Sequence, residues 1–325
     1  MQNIQQIYVF SDVHYAGPAE RQRGASESGV IASAWLRLLV RLYRRFLWRR
    51  DPFAHNHLLD EFLVQAGGAD FVIGNGDYSC DSAFIGVADA PSEESAQLCL
   101  ERVRARFGSK VRLILGDHEL GKMSLFGGRG GLRLASWERA QAGLRLEPFW
   151  RLAIGQNVLL GVTSSLLAFP IFEPEALPSE RAEWRHLREG HLEAVRQAFD
   201  AVRPGERVLL FCHDPTALPF LWAEETVRAK APQLETTVIG HLHSELFLWK
   251  SRLLSGMPAI PFLGNSIRRM SVALHQARTW RHFRVRLCPA LAGIELLKDG
   301  GYCVLHLDPS GERPLRFERR RFGRA

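Results

Sequence analysis

No run of about eighteen or more apolar residues occurs in this 325-residue chain, so no helix is expected to cross a bilayer. The opening Met-Gln-Asn-Ile-Gln-Gln has neither a basic stretch nor an apolar core, so no secretory leader is expected. Cysteine is scarce. The five present, Cys80, Cys99, Cys212, Cys288 and Cys303, are odd in number and show no Cys-x-x-Cys spacing. That excludes a disulfide framework and fits reduced, mostly buried thiols in a cytoplasmic protein. Cys212 sits beside a histidine, but it reads as a small apolar residue on a buried strand. No internal repeat is present.

What is there is ample apolar and basic material. With 46% hydrophobic and 24% charged residues, the chain is long enough to bury a large core. The net charge of +7 and a pI near 9.5 favour anionic partners. One elaborated domain is expected over 1–310, with insertions at about 25–55 and 245–287 and a mobile basic tail over 311–325.

Five short Asp/His motifs follow one another in the chain: Asp12-Val-His14, Gly76-Asp77, Gly116-Asp117-His118-Glu119, His213 and Gly240-His241-Leu-His243. Each comes where a short apolar, β-branched run ends: 7–10, 71–73, 111–115, 208–211 and 236–239. In open α/β sheets ligands bind just beyond the carboxyl ends of such strands. The motifs therefore bring carboxylates and imidazoles to one cleft, in numbers sufficient for two divalent cations about 3.5–4 Å apart. The expected chemistry is phosphoester hydrolysis. The other histidines, His55, His57, His186, His191, His275, His282 and His306, have no such context and read as surface or internally satisfied residues.

In this order and spacing the motifs resemble the calcineurin-like metallophosphoesterase family, whose pattern is D-x-H, G-D-x-x-D, G-N-H-[DE], H and G-H-x-H. The resemblance runs from residue 7 to about 308. It implies an α/β fold, a sandwich of two β-sheets flanked by helices, here carrying basic helical insertions. It also implies that Asp12, His14 and His243 hold one metal, that Asp117, His213 and His241 hold the other, and that Asp77 bridges them. The cofactors implied are two divalent ions among Mn, Fe, Zn and Mg, with Mn favoured, and a hydroxide bridging them as the nucleophile. His118 is the candidate for protonating the leaving oxygen or steadying the equatorial charge. Glu119 is expected to orient a ring, either His118 or a ligand histidine.

The chain departs from that pattern twice. Asp117 stands where the family has a neutral amide, which keeps a ligand but adds negative charge that damps the electrophilicity of the ion. Asp81 falls four residues after Asp77 rather than three, and reads as displaced toward the surroundings of the ligands or as solvated.

Between the first two motifs, residues 31–50 contain six arginines and no acid. Arg37, Arg41, Arg44, Arg45 and Arg49 share one stripe and Trp35, Leu38, Leu39, Leu42 and Phe46 another, so an amphipathic helix ending at Asp51-Pro52 is expected. Two readings stand: a helix packed on the sheet with its arginines outward, or one lying in a membrane interface. Further helices are expected from Ser92 through Phe107 and over 132–146, 179–202 and 219–231. Further strands are expected at 158–162, 293–297 and 302–307. Gly127-Gly-Arg-Gly-Gly131 reads as a flexible loop. Arg268, Arg269, Arg278, Arg281, Arg284 and Arg286 form a second basic stretch, hung from the last motif as a substrate wall.

Three functions compete. The first is hydrolysis of a phosphomonoester or pyrophosphate of a membrane-derived substrate, by a cytoplasmic enzyme that touches the membrane through 31–50. A branch of the family that cleaves UDP-diacylglucosamine is similar in its basic, apolar insertions, though it has Arg where this chain has His118. The second is a phosphodiesterase or nuclease, against which Glu173-Pro-Glu175 and Glu224-Glu225 interrupt any basic track for nucleic acid. The third is an inactive binding scaffold.

Overall fold

A computed structural model describes residues 4–24, 31, 33–48, 53–124, 128–260 and 265–322. The apolar runs form ten strands among these residues: β1 (Gln5–Phe10), β2 (Phe71–Gly74), β3 (Val111–Leu113), β4 (Phe149–Ile154), β5 (Asn157–Val162), β6 (Arg207–Cys212), β7 (Leu234–Ile239), β8 (Val285–Leu287), β9 (Gly301–Leu307) and β10 (Arg316–Arg321). They make two five-stranded sheets, ordered β10-β9-β1-β2-β3 and β4-β5-β6-β7-β8. Both sheets are mixed. β1, β2 and β3 run parallel, as do β5 through β8, while β9, β10 and β4 pair antiparallel.

Side-chain alternation builds the layers. Ile7 and Val9 of β1, Leu209 and Phe211 of β6, and Cys303 and Leu305 of β9 fill the space between the sheets. Their neighbours Tyr8, Phe10, Leu210 and Val304 point the other way, against helices including Asn56–Gln65, Ala90–Phe107 and Arg181–Asp200. With both faces covered, the strands read as continuous apolar runs. Each fully buried Leu or Phe contributes about 1.5–3 kcal/mol. The fold is thus a two-sheet sandwich flanked by helices, and the parallel strands end along one edge.

Several expectations need correction. The tail is not mobile over 316–321: it is the edge strand β10, paired antiparallel to β9 from Arg316↔His306 to Arg321↔Gly301. Its charges are engaged, Glu318 accepting from His306 across the ladder at 2.9 Å and from Arg320 along its own strand at 2.8 Å. Residues 293–297 form turns rather than a strand, because Asp299 accepts the Ile294 N–H at 3.1 Å and folds the segment back. The helix expected over 219–231 is two, Leu218–Ala223 and Glu225–Ala229, broken at extended Glu224, whose carboxylate takes Arg196 at 2.7 Å. The region after 245 is only partly an insertion, since β8 is the edge strand of the second sheet.

The basic segment is a helix over Ala34–Tyr43, begun by Ser33 capping the Leu36 N–H, and continues in a π-helical turn over Arg44–Trp48. Its orientation is not that of an ordinary covering helix. Val40 is buried, while Trp35 is 69% and Phe46 59% exposed, and Leu38, Leu39, Leu42 and Leu47 are exposed with them. Arg37 is turned back onto the Ile31 carbonyl at 2.9 Å. Arg49 and the stop at Asp51-Pro52 lie outside the described residues, as does Gly127 of the glycine loop. The ends of that loop are held, Lys122 N–H and Gly131 N–H both donating to the Phe84 carbonyl.

Candidate metal centre

Eight of the nine motif side chains, all but Glu119, come together at the shared sheet edge. Asp77, Asp117, His213 and His241 form one group whose ligand atoms lie within 4.8 Å of one another, and Asp12, His14 and His243 form a second. His14, Asp77 and His118 make a third, which places Asp77 between the other two.

The local backbone is unusual. Asp12, His14, Asp77, His241 and His243 all have left-handed φ, between 46° and 61°. Each such residue costs roughly 1–2 kcal/mol, somewhat less for Asp and His. What holds them is an extension of the β1/β2 pairing beyond the strands: Asp12 N–H donates to Gly76 O, His14 N–H to Asp77 O and Tyr15 N–H to Tyr78 O, at 2.9–3.1 Å. Gly76, at φ 91°, is where the chain must be bare, since a Cβ there would meet the Gly116 backbone and His213 Nδ1 at 2.7 Å.

Hydrogen bonds set the tautomers. His213 Nδ1 donates to the Asn75 carbonyl at 2.6 Å, leaving Nε2 aimed at Asp117 (3.1 Å) and Asp77 (3.2 Å). His14 Nδ1 faces the Ser79 carbonyl at 3.4 Å, so its Nε2 meets His243 Nε2 at 3.3 Å, with Asp12 Oδ1 3.2 Å from the latter. Two imidazole nitrogens facing each other beside a carboxylate suit a shared cation better than each other. His241 Nδ1 lies 3.2 Å from Asp117 Oδ1, and its Nε2 lies 3.9 Å from Asp214.

The field of the site is strongly negative. Burial alone would lower the His213 and His241 pKa values, but the surrounding aspartates raise both, Asp77 and Asp12 at His213, Asp214 and Asp117 at His241. Burial would raise Asp12 and Asp117, yet His243 holds the first below its ordinary value, and Lys122 and His241 hold the second well below. The same field attracts divalent cations, and the donors are the carboxylate oxygens and imidazole nitrogens such ions take. The residues present fit a two-metal centre.

Glu119 does not orient a ring. It is fully buried and accepts three backbone N–H groups, from Asp77 (3.0 Å), Tyr78 (2.7 Å) and Gly116 (2.8 Å), so it fixes the two loops that carry Asp77 and Asp117. Burial and the Asp77 charge push its pKa up to about 7. Asp81 is not solvated either. It is buried and accepts the Gly86 N–H at 3.0 Å, and burial raises its pKa well above the usual range. Cys212 is buried, its thiol directed to the Asp214 carbonyl at 3.4 Å.

Three contributors went unread in the sequence. Lys122 donates to Asp117 Oδ2 at 3.1 Å and to His118 Nε2 at 3.2 Å, while His118 Nδ1 donates to the Cys80 carbonyl at 3.1 Å. Its signal was its place four residues after His118. Asp214 follows His213 directly and faces His241. Trp48 stacks on His243 with ring centroids 5.4 Å apart and is met edge-on by Phe247 at 4.5 Å.

The fold and the site together define a metal-dependent phosphoesterase with a candidate dinuclear centre. A family model described as calcineurin-like phosphoesterase matches residues 6–245, and the chain belongs to that family. Among solved structures, a dimetal phosphatase from Danio rerio is 15% identical with a TM-score of 0.55, covering 98% of this chain and 96% of that one. That likeness concerns the fold. A purple acid phosphatase from yellow lupin seeds (12% identity, TM-score 0.36, 75% and 38% coverage) and a phosphopantetheinyl hydrolase from Mycobacterium tuberculosis (15%, 0.34, 75% and 84%) are more distant. No curated protein matches.

Proposed function

We propose that this chain hydrolyses a phosphomonoester or pyrophosphate bond of a membrane-derived substrate, working from the cytoplasmic side at the membrane surface. Asp12, His14 and His243 would hold one divalent ion and Asp117, His213 and His241 the other, with Asp77 placed to serve either; Mn is favoured by the three carboxylates among the donors. When bound, such a pair supplies Lewis acidity toward water and the phosphoryl oxygens. The chain's own residues do the rest. Glu119 fixes the loops of Asp77 and Asp117. His118, whose Nε2 accepts from Lys122, takes that proton and passes it to the leaving oxygen or, once protonated, steadies the equatorial charge, and the Lys122 ammonium adds positive charge where phosphoryl transfer needs it.

The observation that carries the membrane part is the outward apolar face of 34–48 and its continuity with the site. Trp35 and Phe46 are exposed, Arg41 and Arg45 flank them, and the segment ends in Trp48, stacked on His243. The Leu47 carbonyl accepts the Leu296 N–H at 3.4 Å, adding exposed Leu296 and Leu297 to the same rim. Aromatic and leucine side chains beside arginines suit the headgroup boundary of an anionic bilayer. No helix among the described residues is long and apolar enough to cross a membrane.

The test compares wild type with a Trp35→Glu, Phe46→Glu double variant. Both are expected to hydrolyse p-nitrophenyl phosphate equally, while only wild type sediments with phosphatidylglycerol vesicles and cleaves a lipid-linked pyrophosphate in mixed micelles. Equal lipid activity of the two would remove the membrane reading. A marked preference for bis-p-nitrophenyl phosphate or RNA would replace it by the diesterase one.

A further inference from the structure

We propose that the chain carries a second anion site, apart from the metal centre, that takes a phosphate group. It is a cavity of about 950 Å³ lined by the helix Glu245–Leu253, the turn Ala277–Phe283, β8 and β10. Its volume is that of a small-molecule site.

Six arginines line it, Arg252, Arg278, Arg281, Arg284, Arg286 and Arg319, against two carboxylates, Glu235 and Glu245. The stretch expected to wall the metal site thus turns four of its arginines to a cavity whose lining includes none of the candidate metal ligands. Arg319 pairs with Glu245, and Arg284 reaches Glu235 at 3.9 Å. The other four have no carboxylate within ion-pair distance among the described residues. Arg252 donates to the Val285 carbonyl at 2.9 Å, Arg281 to His282 Nε2 at 3.2 Å, and Arg286 lies 5.6 Å over the Phe317 ring. Arg278 lies against Gly256, at φ 84°, where a Cβ would meet its guanidinium at 2.2 Å. All six are solvent-exposed, so water screens their mutual repulsion, and the positive potential they share draws anions toward the cavity.

Guanidinium forks match phosphate oxygens bidentately, and several of them around one cavity suit the three oxygens and higher charge of a phosphate group better than a halide. The outward side of the same helix exposes Trp249 and Leu253, so the phosphate can come from solution or from a lipid headgroup.

The experiment titrates inorganic phosphate calorimetrically into the metal-loaded enzyme and, separately, sediments the enzyme with phosphatidylcholine vesicles with and without phosphatidic acid. Competitive inhibition of p-nitrophenyl phosphate turnover by phosphate reads the metal centre alone. In the Arg278→Gln, Arg281→Gln variant, one class of phosphate sites or the phosphatidic-acid binding is expected to weaken at least tenfold, with turnover and the inhibition constant unchanged within about twofold. Loss with free phosphate assigns a soluble ligand, and loss only with vesicles assigns a lipid headgroup. If wild type shows no phosphate binding beyond the competitive site and no preference for phosphatidic acid, or if the double variant matches it in both, the site does not exist. Loss of turnover in all proteins would instead indict the phosphoesterase reading.

Discussion

Lys122 and Asp117 are expected to act on metal affinity as a unit. The ammonium lies 3.1 Å from Asp117 Oδ2, while Oδ1 faces His213 and His241 at 3.1 and 3.2 Å. Lys122 therefore draws off part of the charge that a carboxylate, in place of an amide, would otherwise donate to a cation. A hydrogen bond between charged groups is worth about 1.5–3 kcal/mol, and the Lys122 side chain is 28% exposed, so the lower part of that range applies. At 1.36 kcal/mol per decade this is about ten- to thirtyfold in binding. Lys122→Met is expected to tighten metal binding by about tenfold and to lower turnover at saturating metal, because the full carboxylate charge now reaches the ion. Asp117→Asn should weaken binding by more than tenfold, since it removes an anionic ligand and leaves the ammonium beside a cation. In the double variant the two effects should not add, the coupling exceeding about 1 kcal/mol. The assay is calorimetric Mn²⁺ titration of the metal-depleted proteins, which does not depend on turnover. Additivity within about 0.5 kcal/mol would refute the charge-sharing argument.

Asp77→Asn and His241→Ala are each expected to abolish metal-dependent hydrolysis of p-nitrophenyl phosphate; near wild-type turnover with metal supplied would remove the two-metal mechanism. His118→Ala should lower turnover by about 10²–10⁴-fold with metal content intact, and loss of one equivalent of metal by elemental analysis would make His118 a ligand. Glu119→Gln sets an amide donor against backbone N–H donors, and should destabilise the metal-depleted protein by about 2 kcal/mol or more in urea; an unchanged midpoint would show that the loops hold without it. His191 is buried and accepts the Thr163 N–H at 3.1 Å, and burial lowers its pKa to about 4. Its folded pKa lies below the unfolded value of about 6.5, so the folded state binds fewer protons between those values. Stability should be full above about pH 6.5 and fall by about 2 kcal/mol between pH 7 and 5, a dependence missing from His191→Asn; parallel urea profiles of the two proteins would contradict it.

Much of this was legible because burial writes itself into composition. β1 and β6 are covered on both faces, so they appear as apolar runs, as does the Val238-Ile239 end of β7, and a candidate ligand stands one or two residues past each end. β10 was illegible for the opposite reason: Arg316–Arg321 is stabilised by its ladder with β9 and by Glu318, not by apolar burial, and its charges suit an exposed sheet edge. The periodicity of 34–48 gave two faces without saying which would pack. Glu119 could not be placed because its partners are backbone N–H groups, which leave no trace in a motif. Of the cavity arginines, Arg278, Arg281, Arg284 and Arg286 stood together in one basic stretch of the sequence, but Arg252 and Arg319 come from the helix Glu245–Leu253 and from β10, which no local pattern joins to it.

The left-handed residues show why the ligands stand in these short loops. All five are Asp or His, for which the cost is below roughly 1–2 kcal/mol each, so together they store about 5 kcal/mol or less, still a large part of the net stability of many domains. Such strain persists only where the surroundings over-determine it. Here the β1/β2 pairing runs on through Asp12, His14 and Tyr15, and Glu119 clamps the loops of Asp77 and Gly116. The His241 N–H reaches across to the Asp12 carboxylate at 3.1 Å, tying the end of β7 to the end of β1 and so one sheet to the other. The ligand side chains are thus aimed inward by backbone contacts that involve no metal, and the imidazoles and carboxylates are left facing one another in a field that only cations relieve.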